Sequence, residues 1–119
     1  MREELEKLNA EAKPKSFPYR GKSSPTIKLY FPELTWKCPL QAYPDFAKFY
    51  LTYIPKEEVV ELKSLKLWLN TYRDKYIGHE KIADEIFDTL WELMTPKEME
   101  LRLDINPRGN LKSEITIKR

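Results

Sequence analysis

Apolar and polar residues alternate near the middle of the chain and again toward its end, and a longer period separates these regions. Over 46–54, Ala47, Phe49, Leu51 and Tyr53 alternate with Lys48, Tyr50, Thr52 and Ile54. That period of two predicts a strand with one strongly apolar face. Pro55-Lys56 reads as a turn, and 57–62 as a second strand that closes a hairpin on the first. The period then lengthens. Leu65, Leu69, Tyr72 and Tyr76, with Trp68 beside them, predict an amphipathic helix over 64–76, broken at Gly78. Ile82, Ala83, Ile86, Phe87, Leu90, Leu93 and Met94 predict a second helix over 80–94. Thr95-Pro96 follows it as a cap with proline opening a short turn. Alternation returns over 98–105 and 111–117, with Pro107-Arg108-Gly109-Asn110 as the turn between those strands.

The first third is less regular. Residues 2–12 predict a short polar helix with a thin apolar face, and Pro14, Pro18, Gly21 and Pro25 punctuate an arm. Residues 27–31 suit a short extended segment. Pro32, Pro39 and Pro44 make 32–45 an irregular loop that carries Cys38. The predicted order is β-β-α-α-β-β. It implies an α+β fold in which two helices cover one face of an antiparallel sheet. The expected division is an N-terminal arm, 1–26, and a single domain, 27–119.

Composition narrows the function classes. A chain of 119 residues suits one domain with one modest core. The 21 basic and 19 acidic residues nearly balance, which gives no reason to expect nucleic acid or an acidic membrane as partner. Lys13, Lys15, Arg20, Lys22 and Lys28 do fall in a stretch free of acids. A solvated, partly flexible arm is the simpler reading and a phosphate-binding surface the other. One cysteine excludes an internal disulfide. One cysteine and one histidine fall short of the ligand sets zinc sites use, so no metal is expected. Charges throughout residues 1–13 and the lack of a long apolar run lead us to expect a cytoplasmic protein.

Three places could carry chemistry. A lone cysteine is ordinarily a small buried hydrophobe. Cys38 instead sits in a proline-rich loop beside Lys37, where a cation favours the nucleophilic thiolate. Asp45, seven residues on and held by Pro44, could exchange protons with a bound intermediate. His79-Glu80 opens the second helix. A glutamate there offsets the helix dipole, or it accepts N–H groups from a purine-like edge while the histidine exchanges a proton. In Glu61-Leu62-Lys63-Ser64-Leu65-Lys66-Leu67-Trp68, two lysines three apart share a helix face. They are a solvated face, or they hold cofactor phosphates.

Together these pieces resemble the NADPH-dependent 7-cyano-7-deazaguanine reductases, nitrile reductases of queuosine biosynthesis. The resemblance runs from Phe31 to the C-terminus. It rests on Phe31-Pro32-Glu33, Cys38-Pro39, Pro44-Asp45-Phe46-Ala47, Tyr53-Ile54-Pro55, Arg73, His79-Glu80, Pro107-Arg108-Gly109 and above all the octapeptide Glu61–Trp68. It implies a tunnelling fold whose subunits join their sheets into a barrel, with active sites between subunits and two stacked pentamers in the short form. It implies that Cys38 attacks the nitrile carbon to give a thioimide, that Asp45 is the general acid/base, and that two NADPH deliver hydrides. Glu80, His79 and Glu61 would grip the substrate; Leu62, Lys63, Ser64 and Lys66 would contact NADPH. Arg108 is expected at the cofactor or substrate rim.

One departure stands out. The family carries Ser or Thr and then Gly where this chain has Gln41 and Ala42, and an alanine forced to positive φ would strain the loop by about 1 kcal/mol or more. Two other functions use the same scaffold. Archaeal relatives act as amidinotransferases that add ammonia to the nitrile on tRNA, but lack the octapeptide. A non-catalytic module binding a deazapurine or RNA is the third reading.

Overall fold

The computed structural model describes residues 12–41 and 43–119. The expected helix over 2–12 therefore lies essentially outside the described residues, as does Ala42. In chain order the elements are β1 (Ser16–Pro18), β2 (Ile27–Lys37), β3 (Pro44–Ile54), β4 (Glu58–Val60), α1 (Leu62–Asn70), a 3-10 turn (Thr71–Asp74), α2 (His79–Met94), β5 (Glu98–Arg108) and β6 (Leu111–Lys118). The main sheet is antiparallel in the order β2-β3-β5-β6, and β1 and β4 form a separate two-stranded ribbon.

The alternation in β3 and β5 has the expected outcome. Ala47, Phe49, Leu51 and Tyr53 of β3, and Met99, Leu101, Leu103 and Ile105 of β5, are all buried. They share one face because the register pairs Ala47 with Ile105 and Leu51 with Leu101. α1 covers this face with Leu65, Trp68 and Leu69; α2 covers it with Ile82, Ala83, Ile86, Phe87, Leu90 and Met94. Each large apolar side chain sealed this way contributes about 1.5–3 kcal/mol. The opposite face is polar and aromatic, with Tyr30 against Tyr50 and Arg102 over the Tyr50 ring. Among the described residues no helix is long and apolar enough to cross a membrane.

Several expectations about the strands need correction. The segment 27–31 continues to Lys37, so only 38–43 remains of the loop expected over 32–45. Pro32 is tolerated because β2 is an edge strand and because Pro32-Glu33 form a bulge: Phe31 pairs with Phe49, and the next partners are Leu34 and Ala47. The partner of β3 is β2, not 57–62. Glu58–Val60 pairs instead with Ser16–Pro18. The arm is thus partly fixed rather than a solvated strap: Tyr19 N donates to Glu57 O (2.8 Å), Glu61 N to Lys15 O (2.7 Å) and Lys15 N to the Ser64 hydroxyl (2.9 Å).

The helices shift slightly. The first begins at Leu62, two residues early, and tightens to 3-10 after Asn70, which leaves Tyr76 exposed. Thr95 closes α2 as a left-handed cap (φ 41°), with Pro96 just beyond, so the pair ends the helix rather than starting a turn. Pro107 and Arg108 belong to β5. The turn proper is Gly109-Asn110, both at positive φ (58° and 69°), the pairing a tight two-residue hairpin requires.

Candidate active site

Cys38, Asp45, His79 and Arg108 gather at one end of the main sheet. Two bulges put them on a common face. In β2, the extra residue at Pro32-Glu33 shifts the phase, so that Leu34 and Trp36 point to the helix side like Phe31 before them. Cys38 follows two residues later in the same phase. In β5, Ile105 pairs with Ser113 and the next pair is Arg108 with Leu111. That extra residue, at Asn106-Pro107, turns Arg108 back to the helix side. Asp45 needs no bulge, because it continues the inward phase of Ala47, Phe49, Leu51 and Tyr53.

The β2–β3 hairpin sets the spacing of the two proposed reactive residues. Lys37 is opposite Pro44 and Trp36 opposite Asp45, and Cys38 N donates to Tyr43 O at 2.8 Å. Cys38 and Asp45 are therefore diagonal neighbours across the ladder, a relation with a usual Cα separation of about 7–8 Å. Cys38 is half-buried and Asp45 is buried. Leu40 and Gln41 in the connecting loop are exposed.

Both oxygens of Asp45 are engaged. Oδ1 accepts from Arg108 Nη1 at 2.6 Å, and Oδ2 lies 3.2 Å from His79 Nε2. The same Arg108 nitrogen donates to the Pro44 carbonyl at 3.0 Å, and the guanidinium lies 5.5 Å from the centre of the Tyr43 ring. A buried carboxylate without partners would cost several kcal/mol, so these two contacts are what make the position tenable. His79 is the first residue of α2, with Gly78 at the cap. The approach to it is pinned by the end of β2: Lys37 N donates to Lys75 O (2.9 Å) and Ile77 N to Lys37 O (3.0 Å). The His79 and Trp36 rings meet in a T-shape, 5.6 Å between centres.

The structure departs here from several sequence expectations. Lys37 does not turn to the cysteine; its ammonium lies 3.7 Å from Asp74 and 5.3 Å from the centre of the Tyr76 ring. Arg108 reaches Asp45, a contact that the expected rim position does not specify. His79 faces Asp45, and Glu80 beside it is exposed. Trp36, fully buried beside these groups, also belongs to the site, and its place two residues before Cys38 is the sequence signal that points to it.

The octapeptide is elsewhere in the chain. The Glu61 carboxylate caps α1, accepting from Lys63 N at 2.6 Å and Ser64 N at 2.9 Å. The Ser64 and Lys63 amides, in that order, are the leading causes that pull the Glu61 carboxyl below the usual glutamate range. The Ser64 hydroxyl accepts from Lys15 N and donates to Glu61 O (2.9 Å). Leu62, Lys63 and Lys66 are exposed. Leu62, Leu65, Lys66 and Leu69 wall an apolar cleft of about 240 Å³ against Leu29, Tyr30, Phe31 and Phe49. α1 runs from this cleft toward Lys75–Ile77, so its start is the end remote from Cys38. Nine helical residues alone span about 13 Å. Within the chain, Glu61–Lys66 and Cys38 are not brought together.

For NADPH the fit is partial. Lys63 and Lys66 offer two exposed ammonium groups on one helical turn, suited to phosphate, beside an apolar cleft. The Ser64 hydroxyl is already committed within the fold.

Comparisons with known proteins agree with the fold. The family model described as QueF-like protein matches residues 44–119. The chain is 45% identical over 101 residues to the NADPH-dependent 7-cyano-7-deazaguanine reductase of Wolinella succinogenes, covering 85% of this chain and 82% of that one. It is 44% identical over 115 residues to the reductase of the same name from Aquifex aeolicus, covering 97% and 87%. Among solved structures, the archaeosine synthase QueF-Like in the apo form matches with TM-score 0.74 at 20% identity, covering 82% of this chain and 95% of that one. At that identity the likeness concerns the fold alone.

Proposed function

Because the chain belongs to the QueF-like family, with relatives named NADPH-dependent 7-cyano-7-deazaguanine reductase at about 45% identity, we propose that it reduces the nitrile of 7-cyano-7-deazaguanine to the aminomethyl group. It is an oxidoreductase, and NADPH is its cofactor. The observation that carries the mechanistic part is the buried Asp45, with both oxygens held and a half-buried thiol diagonal to it.

The chemistry begins at Cys38. Its sulfur forms a bond to the nitrile carbon, and one C–N π bond breaks. That electron pair goes to nitrogen, which takes up the proton lost by the thiol. Asp45 is the relay: it accepts the proton from sulfur and passes it to nitrogen. The product is a thioimide on Cys38, with no change of oxidation state. NADPH, when bound, supplies the hydrides for the two reductions that follow. Lys63 and Lys66 hold its phosphates. His79 keeps the Asp45 carboxylate facing the thiol, and Glu80 accepts N–H groups from the deazaguanine edge.

The octapeptide and Cys38 lie at different ends of one protomer, which supports an active site shared between subunits. The main sheet has two outer strands, β2 and β6, onto which neighbouring sheets can add. Exposed Tyr30, Phe46 and Leu111 on or near these strands suit such a join. The assembly is a tunnelling-fold barrel of two stacked pentamers, in which Glu61 and the two lysines of one subunit complete the Cys38 site of the next.

Incubation with 7-cyano-7-deazaguanine and NADPH tests the proposal. The expected result is loss of the reduced-nicotinamide absorbance at two equivalents per nitrile. Without NADPH, intact mass should show a substrate adduct on Cys38. Formation of an amidine from added ammonia, with NADPH unconsumed, would establish the amidinotransferase reaction instead.

A further inference from the structure

We infer that Arg108 is a positioning residue for covalent capture: it orients Asp45 for transfer of the Cys38 proton and does not hold the cofactor. This deepens the nitrile-reductase proposal and rests on it.

The first observation is how the chain places this side chain. Without the extra residue at Asn106-Pro107, Arg108 would fall on the polar face of the sheet, away from Asp45. The register shift between Ile105 and Arg108 reverses that, and the Gly109-Asn110 turn fixes the hairpin directly afterwards. Bulges that re-aim one side chain beside a reactive group are a recurrent device.

The second is what the guanidinium does there. One nitrogen, Nη1, donates to Asp45 Oδ1 at 2.6 Å and to the Pro44 carbonyl at 3.0 Å. It bridges the side chain of one residue to the backbone of the residue before it, which locks the carboxylate relative to its own strand. A charge-assisted bond of this length is among the strong ones. The Oδ2 contact to His79 is longer, at 3.2 Å. Oδ1 is thus the anchored oxygen, and Oδ2 is the one left to carry a proton. In the capture step, Oδ2 takes the proton as the S–C bond forms and releases it to the nitrogen as the C–N π bond breaks. Arg108 gains and loses no proton.

The third is what surrounds it. The Tyr43 ring lies beneath the guanidinium, and Tyr43 closes the Cys38 loop through its carbonyl. The arginine therefore ties β5 to the β3 side of the loop that presents the nucleophile. The contacts of Arg108 all go to Tyr43, Pro44 and Asp45, the residues that close the loop and carry the acid/base.

The test separates capture from cofactor binding. Wild type, Arg108→Lys and Arg108→Met are mixed with 7-cyano-7-deazaguanine without NADPH, quenched, and scored by intact mass for the Cys38 adduct. Steady-state KM for NADPH is measured in parallel. Misplacing a reacting group by about an ångström costs on the order of 100-fold. Arg108→Met should slow adduct formation by roughly that factor, with KM for NADPH within about threefold of wild type. Arg108→Lys, which can still donate to Oδ1, should recover most of the rate. If Arg108→Met does not fold by circular dichroism, Arg108→Gln takes its place. A wild-type adduct rate in Arg108→Met or Arg108→Gln, with a raised KM for NADPH, overturns the inference and returns Arg108 to the cofactor rim. Equal slowing in the Lys and Met variants also overturns it. A wild-type protein that forms no adduct overturns the covalent mechanism itself.

Discussion

Asp45→Asn should remove activity and leave stability almost untouched. Asp45 has 4% of its side chain exposed, against 33% for His79 and 39% for Arg108. The substitution keeps shape and one acceptor but deletes the charge. The lost charge-assisted bond to Arg108 costs about 1.5–3 kcal/mol. Against that, a nearly buried carboxylate no longer has to be desolvated, a penalty of several kcal/mol in its own right. Arg108 and His79 are open enough for water to replace the partner they lose. The two effects are of similar size and opposite sign, so the net change should lie within about 1 kcal/mol, a few degrees in melting temperature for a domain of this size. Catalysis has no such offset: loss of the general acid/base should lower turnover by about 100- to 10,000-fold. Urea denaturation at fixed protomer concentration and NADPH oxidation measure the two quantities. A destabilisation above about 3 kcal/mol would refute the reasoning, because the cluster would then be holding the fold together.

Two further outcomes follow from the rest of the molecule. The depressed Glu61 carboxyl means that its cap stabilises α1 above the ordinary glutamate range and is lost as pH falls through its lower folded value; the gap in melting temperature between wild type and Glu61→Gln should therefore be full at neutral pH and narrow as pH falls below the ordinary glutamate range, and a constant gap would contradict the cap. Burial, partly offset by the hydrogen bond from Val60 N (3.2 Å), raises the Tyr53 hydroxyl above its usual range; Tyr53→Phe strands that buried N–H and should cost about 1–3 kcal/mol in chemical denaturation, whereas an unchanged midpoint would show that the bond contributes nothing.

Regular periodicity made β3, α2, β5 and β6 legible from sequence, since each buries one face of a continuous pattern. β2 was half hidden because its bulge reverses the alternation, and the proline inside it reads as a loop. The 57–62 segment was legible as a strand but not as the partner of Ser16–Pro18. Short strands carry no mark of what they pair with, and proximity favoured the wrong neighbour. At the site, Cys38 and Asp45 stood out through residue type and spacing. His79 was visible, but its contact with Asp45 was not, because 34 residues separate them in the chain. The contact of Arg108 with Asp45 was hidden for the same reason as β2: a bulge is an inserted residue, and nothing in composition says which face follows it.

The ribbon of β1 and β4 has a kinetic consequence. Lys15 and Ser64 meet across 49 residues of chain, whereas the Glu61 cap on α1 is local. Local helix structure forms early and long loops close late. The start of α1 can therefore wind before the arm reaches it, and the arm is the last strand to zip down and the first to peel away. Hydrogen exchange should find the amides of Tyr19 and Glu61, both bonded across the ribbon, opening together and well before the core of the sheet. A protease that trims the arm would then loosen the octapeptide without touching the nucleophile.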